Sequence, residues 1–318
     1  MTVAYPFTSN AYELRALLFS KTLDLMSPDP WKDACLFSGR LSSWTFANSM
    51  LVSMQHRNER TLHPDLPDRP TLIASGAAWV RAGRFARPDC NAYRIIKVDE
   101  MGGLSTGMVY DISQTDGAPF LNLAPSHPSS SAIITSMESM FGEFTSDGVP
   151  LHVSQGESLD RDCRIDGRTV WLDGSLDESG TIHALSKTLA FIILSGEETA
   201  VPLDFITESA SLMVCAAFSC DVGGLDSPDP STLPVSTLLL EAGGLARRAA
   251  RRIIAFCGRN TGFRDGSLLS PGPTSTGSGP LADEDLSTDM DQEQSTSIIV
   301  DNPVPVVDST SFDLGGVL

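Results

Sequence analysis

The chemistry that this chain could perform centres first on a single histidine. His183 lies in the stretch HALSKTLAFIIL, residues 183–194, and Glu208 follows in TESAS. A helix with histidine followed by a glutamate is the layout of a zinc peptidase, which needs two histidines four residues apart on one face. The residue four positions after His183 is Lys187, whose ammonium repels a divalent cation. We therefore expect this histidine–lysine pair not to bind zinc. Glu197 and Glu198 could join His183 at a metal ion only if the chain folded back, and a shared ion with Glu208 would need a shifted helix register.

A second group of residues has the composition of a nucleic-acid contact. The segment GAAWVRAGRFARP, residues 76–88, places Trp79 among Arg81, Arg84 and Arg87. Arginines attract phosphates, and aromatic faces stack on unpaired bases. The alternative interpretation is a core tryptophan with arginines on the solvated face.

A third cluster, RRAARR at residues 247–252, belongs to a long amphipathic stretch near the end of the folded part. Its four arginines, Arg247, Arg248, Arg251 and Arg252, share one face of a helix. They either form a solvated face that complements the helix dipole or provide a second contact for phosphate.

The elements that must position these residues follow from hydrophobic periodicity and turn residues. The mixture predicts an α+β fold. Helices are expected at about 9–26, 44–57, 131–141, 178–195, 203–220 and 231–258, with SPDP at 27–30 ending the first. Strands are expected at 71–74, 93–98, 108–112, 151–153 and 169–172.

Charge is distributed unevenly along the 318 residues. All 22 Lys and Arg and 30 of the 40 Asp and Glu precede residue 265, so the body carries −8 and residues 265–318 carry −10. Residues 40–97 instead carry a net positive charge, with nine basic residues against four acidic ones. The terminal segment is rich in Gly, Ser, Thr, Pro and acids, which predicts an acidic disordered tail. Such a tail could recruit a protein partner or imitate a nucleic acid.

The remaining composition indicates a cytoplasmic protein. No basic segment followed by an apolar one precedes the first helix, and no apolar run is long enough to cross a bilayer. The six cysteines are scattered without a CxxC, which favours reduced thiols. We expect no membrane association and no cofactor.

Three motifs in the first 120 residues resemble the N-terminal domain of ArdC-type antirestriction proteins of conjugative plasmids. They are the helix WTFANSMLVSMQ, the element WVRAGR and the signature VYDISQTDG at 109–117. That family's domain is associated with single-stranded DNA binding, although FARPDCN here lacks the lysines common after the second motif. The resemblance and the basic segment nominate as DNA-binding residues Trp44, Asn48, Gln55, Trp79, Arg81, Arg84, Arg87, Gln114 and Thr115.

The second half resembles the IrrE-like zinc metallopeptidase domain of the same family, with its defining motif lost. ITESASLMVC at 206–215 aligns with the family's later helix and places Glu208 on its third ligand. The family's two histidines and catalytic glutamate fall on Lys187, Phe191 and Thr188, and Phe191 would fill the space of the metal. The resemblance implies a pseudo-peptidase without catalytic residues or metal.

These observations predict four segments: a single-stranded-DNA-binding domain at 1–125, a linker with a short helix at 126–150, a mainly helical zincin-like domain at 151–264 and the tail at 265–318. The expected function is non-catalytic binding of single-stranded DNA, in plasmid or phage antirestriction. Two alternatives stay open, namely an acidic protein-interaction or DNA-mimic protein and a divergent zinc metallopeptidase with unusual ligands.

Overall fold

The computed structural model of the chain confirms the α+β class. It describes residues 10–41, 44–98, 103–119, 128–143, 152–156, 162–166, 169–225, 227–234 and 238–263. The acidic segment 265–318 lies outside these described residues. None of the described helices is long and apolar enough to cross a membrane.

The described helices begin at residues that suit a helix N-terminus. Asn10, Thr45 and Asp177 each accept a backbone N–H of the first turn, which satisfies a donor that would otherwise lack a partner. The segment SPDP follows the end of the first helical stretch, as expected, but Pro28 also begins α2, which was not predicted, because proline has no N–H to lose in a first turn. The helices are α1 (Ala11–Lys21), α2 (Pro28–Arg40), α3 (Phe46–Leu62), α4 (Gly76–Arg81), α5 (Ser130–Phe141), α6 (Glu178–Leu194), α7 (Leu203–Ala217) and α8 (Leu238–Thr261).

The described strands form three small sheets, ordered β1-β4-β3, β2-β5 and β6-β8-β7. Every pairing is antiparallel except the parallel pair of β6 and β8. The strands are β1 (Ile73–Ser75), β2 (Arg84–Ala86), β3 (Tyr93–Val98), β4 (Leu104–Asp111), β5 (Thr115–Gly117), β6 (His152–Gly156), β7 (Cys163–Asp166) and β8 (Thr169–Asp173).

Two side-chain amides of α3 satisfy the outer edge of β3. Asn48 donates to the carbonyl of Ile96 and accepts from its N–H, both at 2.9 Å. Gln55, two turns later, makes the same pair of bonds to Arg94 at 2.8 and 2.6 Å. An unpaired strand edge exposes backbone groups that need partners. The two amides supply those partners and fix the helix against the sheet.

The first and second halves of the chain share one hydrophobic core, which runs from α1 to α8. The closest approach is between α2 and α7, where a Cβ on Gly39 would overlap the backbone of Met213. Trp31 is fully buried in the same interface and donates from Nε1 to Ser209 Oγ at 2.9 Å. The predicted segments 1–125 and 151–264 therefore pack against each other through their helices.

A buried arginine adds a second connection between the halves. Arg247 of α8 donates to the carbonyls of Leu41 at 2.6 Å and Trp44 at 3.0 Å. The prediction that Arg247 shares a solvated face with Arg248 is wrong, because its guanidinium satisfies carbonyls just beyond α2.

The α2–α7 crossing generates a first prediction. Gly39→Ala should lower the free energy of unfolding by about 1–3 kcal/mol, because the new methyl group overpacks a contact made by backbone. Gly244→Ala on α8 is the control, since a Cβ there meets nothing within 4 Å and alanine favours the helix by about 1 kcal/mol. Denaturant unfolding of both variants measures the difference, and equal stabilities would show that the crossing is not tightly packed.

Candidate functional site

The residues aligned with a zinc peptidase form a partly buried charge cluster between α6 and α7. Lys187 Nζ lies 2.5 Å from Glu208 Oε2, and His183 Nε2 lies 2.8 Å from Glu208 Oε1. Lys187 and His183 come from successive turns of α6, so both reach the carboxylate that α7 presents. Both oxygens of Glu208 therefore face positive or neutral nitrogen atoms supplied by the chain itself.

His183 reaches the carboxylate of Glu208 by direct contact. His183 lies one turn before Lys187, and the angle between α6 and α7 lets Glu208 bridge both residues. His183 is almost fully buried, so this contact is shielded from water.

The electrostatics of this cluster favour the ionised carboxylate. Burial raises the pKa of Glu208, but its contacts with His183 and Lys187 outweigh burial and hold that pKa below the ordinary 4.5. Burial lowers the pKa of Lys187, but its bond to Glu208 outweighs burial, and the net pKa is raised. The pair is therefore charged at neutral pH.

The other two aligned positions also lack peptidase chemistry. Thr188 is buried, and its hydroxyl donates to the carbonyl of Ala184 at 2.9 Å and touches Cys163 Sγ at 2.8 Å. Phe191 is 44% exposed, so the prediction that it fills the space of a metal is wrong. Lys187 provides the positive charge beside Glu208 instead.

Trp79, the proposed stacking residue, belongs to a small core. Its side chain is fully buried with Leu72, Ala74 and Ala78, and its Nε1 donates to the carbonyl of Tyr110 at 2.9 Å. A side chain enclosed in this way cannot stack on a base. The expectation that Trp79 contacts DNA is therefore wrong.

Two of the three neighbouring arginines are also engaged within the protein. Arg87 forms ion pairs with Asp65 at 2.8 Å and Asp89 at 3.0 Å. Arg84 donates to Thr115 Oγ1 at 2.8 Å and to backbone carbonyls of Thr115 and Ala118. Arg84 stabilises the β2–β5 ribbon, and Arg87 stabilises the turn that follows β2. Of the three arginines, Arg81 is the exposed one.

The remaining nominated residues have structural roles. Gln114 caps a short turn after β4, where its Oε1 accepts from the Asp111 N–H and its Nε2 donates to the carbonyl of Asn91. Thr115 accepts from Arg84, and Trp44 packs partly buried against the main core. Together with the Asn48 and Gln55 bonds to β3, these contacts show that the nominated motif residues stabilise the first half.

Other side chains of the same region are exposed to solvent. Phe85 of β2 is 61% exposed and Val80 of α4 is 54% exposed, with Arg81 exposed beside Val80 in sequence. On β3 and β4, Arg94 pairs across the strands with Met108, which is 51% exposed. Neither Arg81 nor Arg94 forms an ion pair with a carboxylate among the described residues. The sequence held no signal that selects Phe85 rather than Trp79, because β2 does not alternate between buried and exposed residues.

No family model, curated protein or solved structure matches the chain.

The Glu208 cluster generates a second prediction. Glu208→Gln should lower the free energy of unfolding at pH 7 by about 1–3 kcal/mol. Breaking a fully buried ion pair costs roughly 3–5 kcal/mol, and the loss here should be smaller because Lys187 is partly exposed. Because folding depresses the pKa of Glu208, its contribution is present above about pH 4.5 and is lost as the pH falls through its folded pKa.

Unfolding measured from pH 7 to pH 3 checks both the size and the direction of this effect. The matched control is Glu197→Gln, which removes the more exposed ion pair with Arg248 and should change stability by less than about 1 kcal/mol. If the difference in free energy of unfolding between wild type and Glu208→Gln stayed constant down to pH 3, the lowered pKa of Glu208 would be contradicted.

Proposed function

We propose that the protein is a non-catalytic, cytoplasmic protein that binds single-stranded DNA through the exposed side chains of Val80, Arg81, Phe85 and Met108, together with Arg94. The supporting observation is the exposed aromatic ring of Phe85 in an arginine-rich segment whose tryptophan is buried. The antirestriction setting is part of the proposal and is supported by the resemblance alone.

Phe85 has the properties that stacking on an unpaired base requires. Its ring projects from a short two-stranded ribbon that the bonds of Arg84 hold in place, so little conformational freedom would be lost on binding. A planar face at a water-exposed position accepts any base, which provides binding without sequence preference. Duplex DNA keeps its bases stacked on one another and offers no such partner.

Arg81 and Arg94 would supply the contacts with phosphate. Both lack a carboxylate partner in the described part of the chain, whereas Arg87 is neutralised by Asp65 and Asp89. Asp116, exposed and directly opposite Phe85 in the ribbon, reduces the local positive potential. With few cations available, we expect moderate affinity and a shallow dependence on salt.

The absence of catalysis is proposed from the chemistry of the α6–α7 cluster. A zinc peptidase needs about three protein ligands and an open position for water. Here Lys187 neutralises the carboxylate of Glu208, His183 contacts its other oxygen, and Thr188 has no carboxylate to polarise water. This cluster stabilises the contact between two helices.

A third prediction tests the proposed binding surface in the full-length protein. Phe85→Ala should weaken binding to a labelled single-stranded oligonucleotide by about 5- to 150-fold, which corresponds to roughly 1–3 kcal/mol for one stacked base. Tyr12→Ala is the matched control, because Tyr12 is an equally exposed aromatic residue, at 66%, on α1. Fluorescence anisotropy at about 50 mM salt measures both, together with a duplex of the same sequence.

Unchanged affinity in Phe85→Ala would reject this surface, and equal affinity for single-stranded and duplex DNA would reject the proposed preference. Asp116→Asn should strengthen binding, because it removes a negative charge beside the ring while leaving the ribbon in place.

A fourth prediction concerns the ten acidic residues of segment 265–318, which has no Lys or Arg. Deleting this segment should tighten binding of single-stranded DNA, most visibly at low salt, since exposed charges are screened beyond about 10 Å at 0.1 M. Binding isotherms of both proteins across a salt series provide the measurement. Unchanged or weaker affinity after deletion would favour the alternative in which the acidic segment engages a protein partner.

A further inference from the structure

Three potential metal ligands converge where α3 meets the turn between β2 and β3. Glu59 lies in the last turn of α3, His63 directly follows that helix, and Cys90 belongs to the turn. One ligand atom from each, a carboxylate oxygen, an imidazole nitrogen and the thiol sulfur, lies within 4.8 Å of the other two. We propose that Glu59, His63 and Cys90 bind one zinc ion.

The separations suit a shared ion better than direct bonds. Two ligands at zinc's usual distances and tetrahedral angle are about 3.3–3.7 Å apart. His63 Nε2 and Glu59 Oε1 are 3.6 Å apart, which matches that separation and is too long for a hydrogen bond. Small side-chain rotations would bring Cys90 Sγ to the same centre.

His63 differs from the nearby His56, whose ring nitrogens both have hydrogen-bond partners. His56 lies about two helical turns before His63 and contacts Tyr93 Oη at 2.7 Å and the carbonyl of Pro67 at 2.8 Å. The two nitrogens of His63 instead face carboxylates at 3.6 and 3.8 Å, distances longer than hydrogen bonds. His63 is therefore available to bind a cation.

The charge around Glu59 also favours a bound cation. Glu59 is almost fully buried and accepts from the backbone N–H of Asn91 at 2.7 Å, but forms no ion pair with Lys or Arg in the described ranges. The nearby cation, Arg87, is already paired with Asp65 and Asp89. A zinc ion bound by one carboxylate, one thiolate and one neutral imidazole would balance the charge of the cluster.

The ligand types select among metals. A thiolate with an imidazole favours zinc over magnesium or calcium, which prefer oxygen ligands. Asp89 Oδ2 lies 3.8 Å from His63 Nδ1, so it is placed to orient the imidazole from its far side. Carboxylates commonly accept the second N–H of a ligating histidine in this way.

The site would fasten the turn that contains Arg87 and Asp89 to the end of α3. Asn91 already docks that turn on Glu59, and the metal would add bonds from His63 and Cys90. This inference does not rest on the proposed binding of DNA, and it places zinc far in sequence from the Lys187–Glu208 cluster.

The test uses cobalt and zinc with the full-length protein purified and kept reduced without metal. We expect one equivalent of Co²⁺ to produce visible bands of tetrahedral cobalt and a thiolate-to-cobalt charge-transfer band, and Zn²⁺ to displace it. Cys90→Ser should abolish the thiolate band, and His63→Gln should weaken binding about tenfold or more. Asp89→Asn should weaken binding by roughly 10- to 100-fold.

Matched controls separate this site from every other thiol and histidine considered. Cys163→Ser, Cys220→Ser and His183→Gln should all keep the full cobalt spectrum and stoichiometry. A thiolate band that persists in Cys90→Ser, or that disappears in His183→Gln, would overturn the assignment, as would a lack of saturable binding by the wild type.

A measurement on the wild-type chain avoids dependence on variants that fold poorly. Zinc should slow alkylation of Cys90 by a soluble reagent, with peptide mapping used to identify the modified cysteine, while Cys163 and Cys220 react at unchanged rates. Equal alkylation of Cys90 with and without saturating zinc would contradict the proposal.

Discussion

The contact between α2 and α7 determines how the rest of the molecule is arranged. Gly39 allows the two helices to approach until backbone meets backbone, and Trp31 bonds to Ser209 within the same interface. Because α7 also presents Glu208 to α6, the position of the charge cluster depends on this crossing. The first half is thus a part of the main core, to which its β1-β4-β3 sheet contributes Tyr93 and Val109, whereas Trp79 belongs to a separate small cluster.

Two buried carboxylates illustrate how differently this chain balances charge. Glu208 has a lysine and a histidine of its own chain beside its oxygens, so a bound metal would have to displace an internal cation. Glu59 has backbone and amide donors but no Lys or Arg, and a histidine and a thiol converge on it. Burial alone therefore does not identify a metal site, because the surrounding charges determine what the carboxylate binds.

The sequence predicted the elements whose signals are local. The strand over Tyr93–Val98 and the helix over Glu178–Leu194 follow from periodicity and agree with the structure to within a residue. It missed α2, because the prolines that follow the first helix also begin the next one. It failed for Trp79, because a run of arginines does not reveal which side of the segment is enclosed. The meeting of Glu59 and His63 with Cys90 depends on how a distant turn folds onto α3, and no local pattern contains that information. The sequence alone shows only that Glu59 and His63 are four residues apart.

The motifs that carry the family resemblance have a physical explanation that is independent of DNA. Asn48 and Gln55 are seven residues apart because two helical turns bring both amides to alternate residues of one strand edge, Ile96 and Arg94. Gln114 completes a cap, and Trp79 fills a small core and donates to the carbonyl of Tyr110. Such residues specify a fold, and a fold can be kept while its binding surface changes. The DNA binding that we propose is therefore assigned to exposed side chains such as Phe85 and Arg81 and not to these buried motif residues.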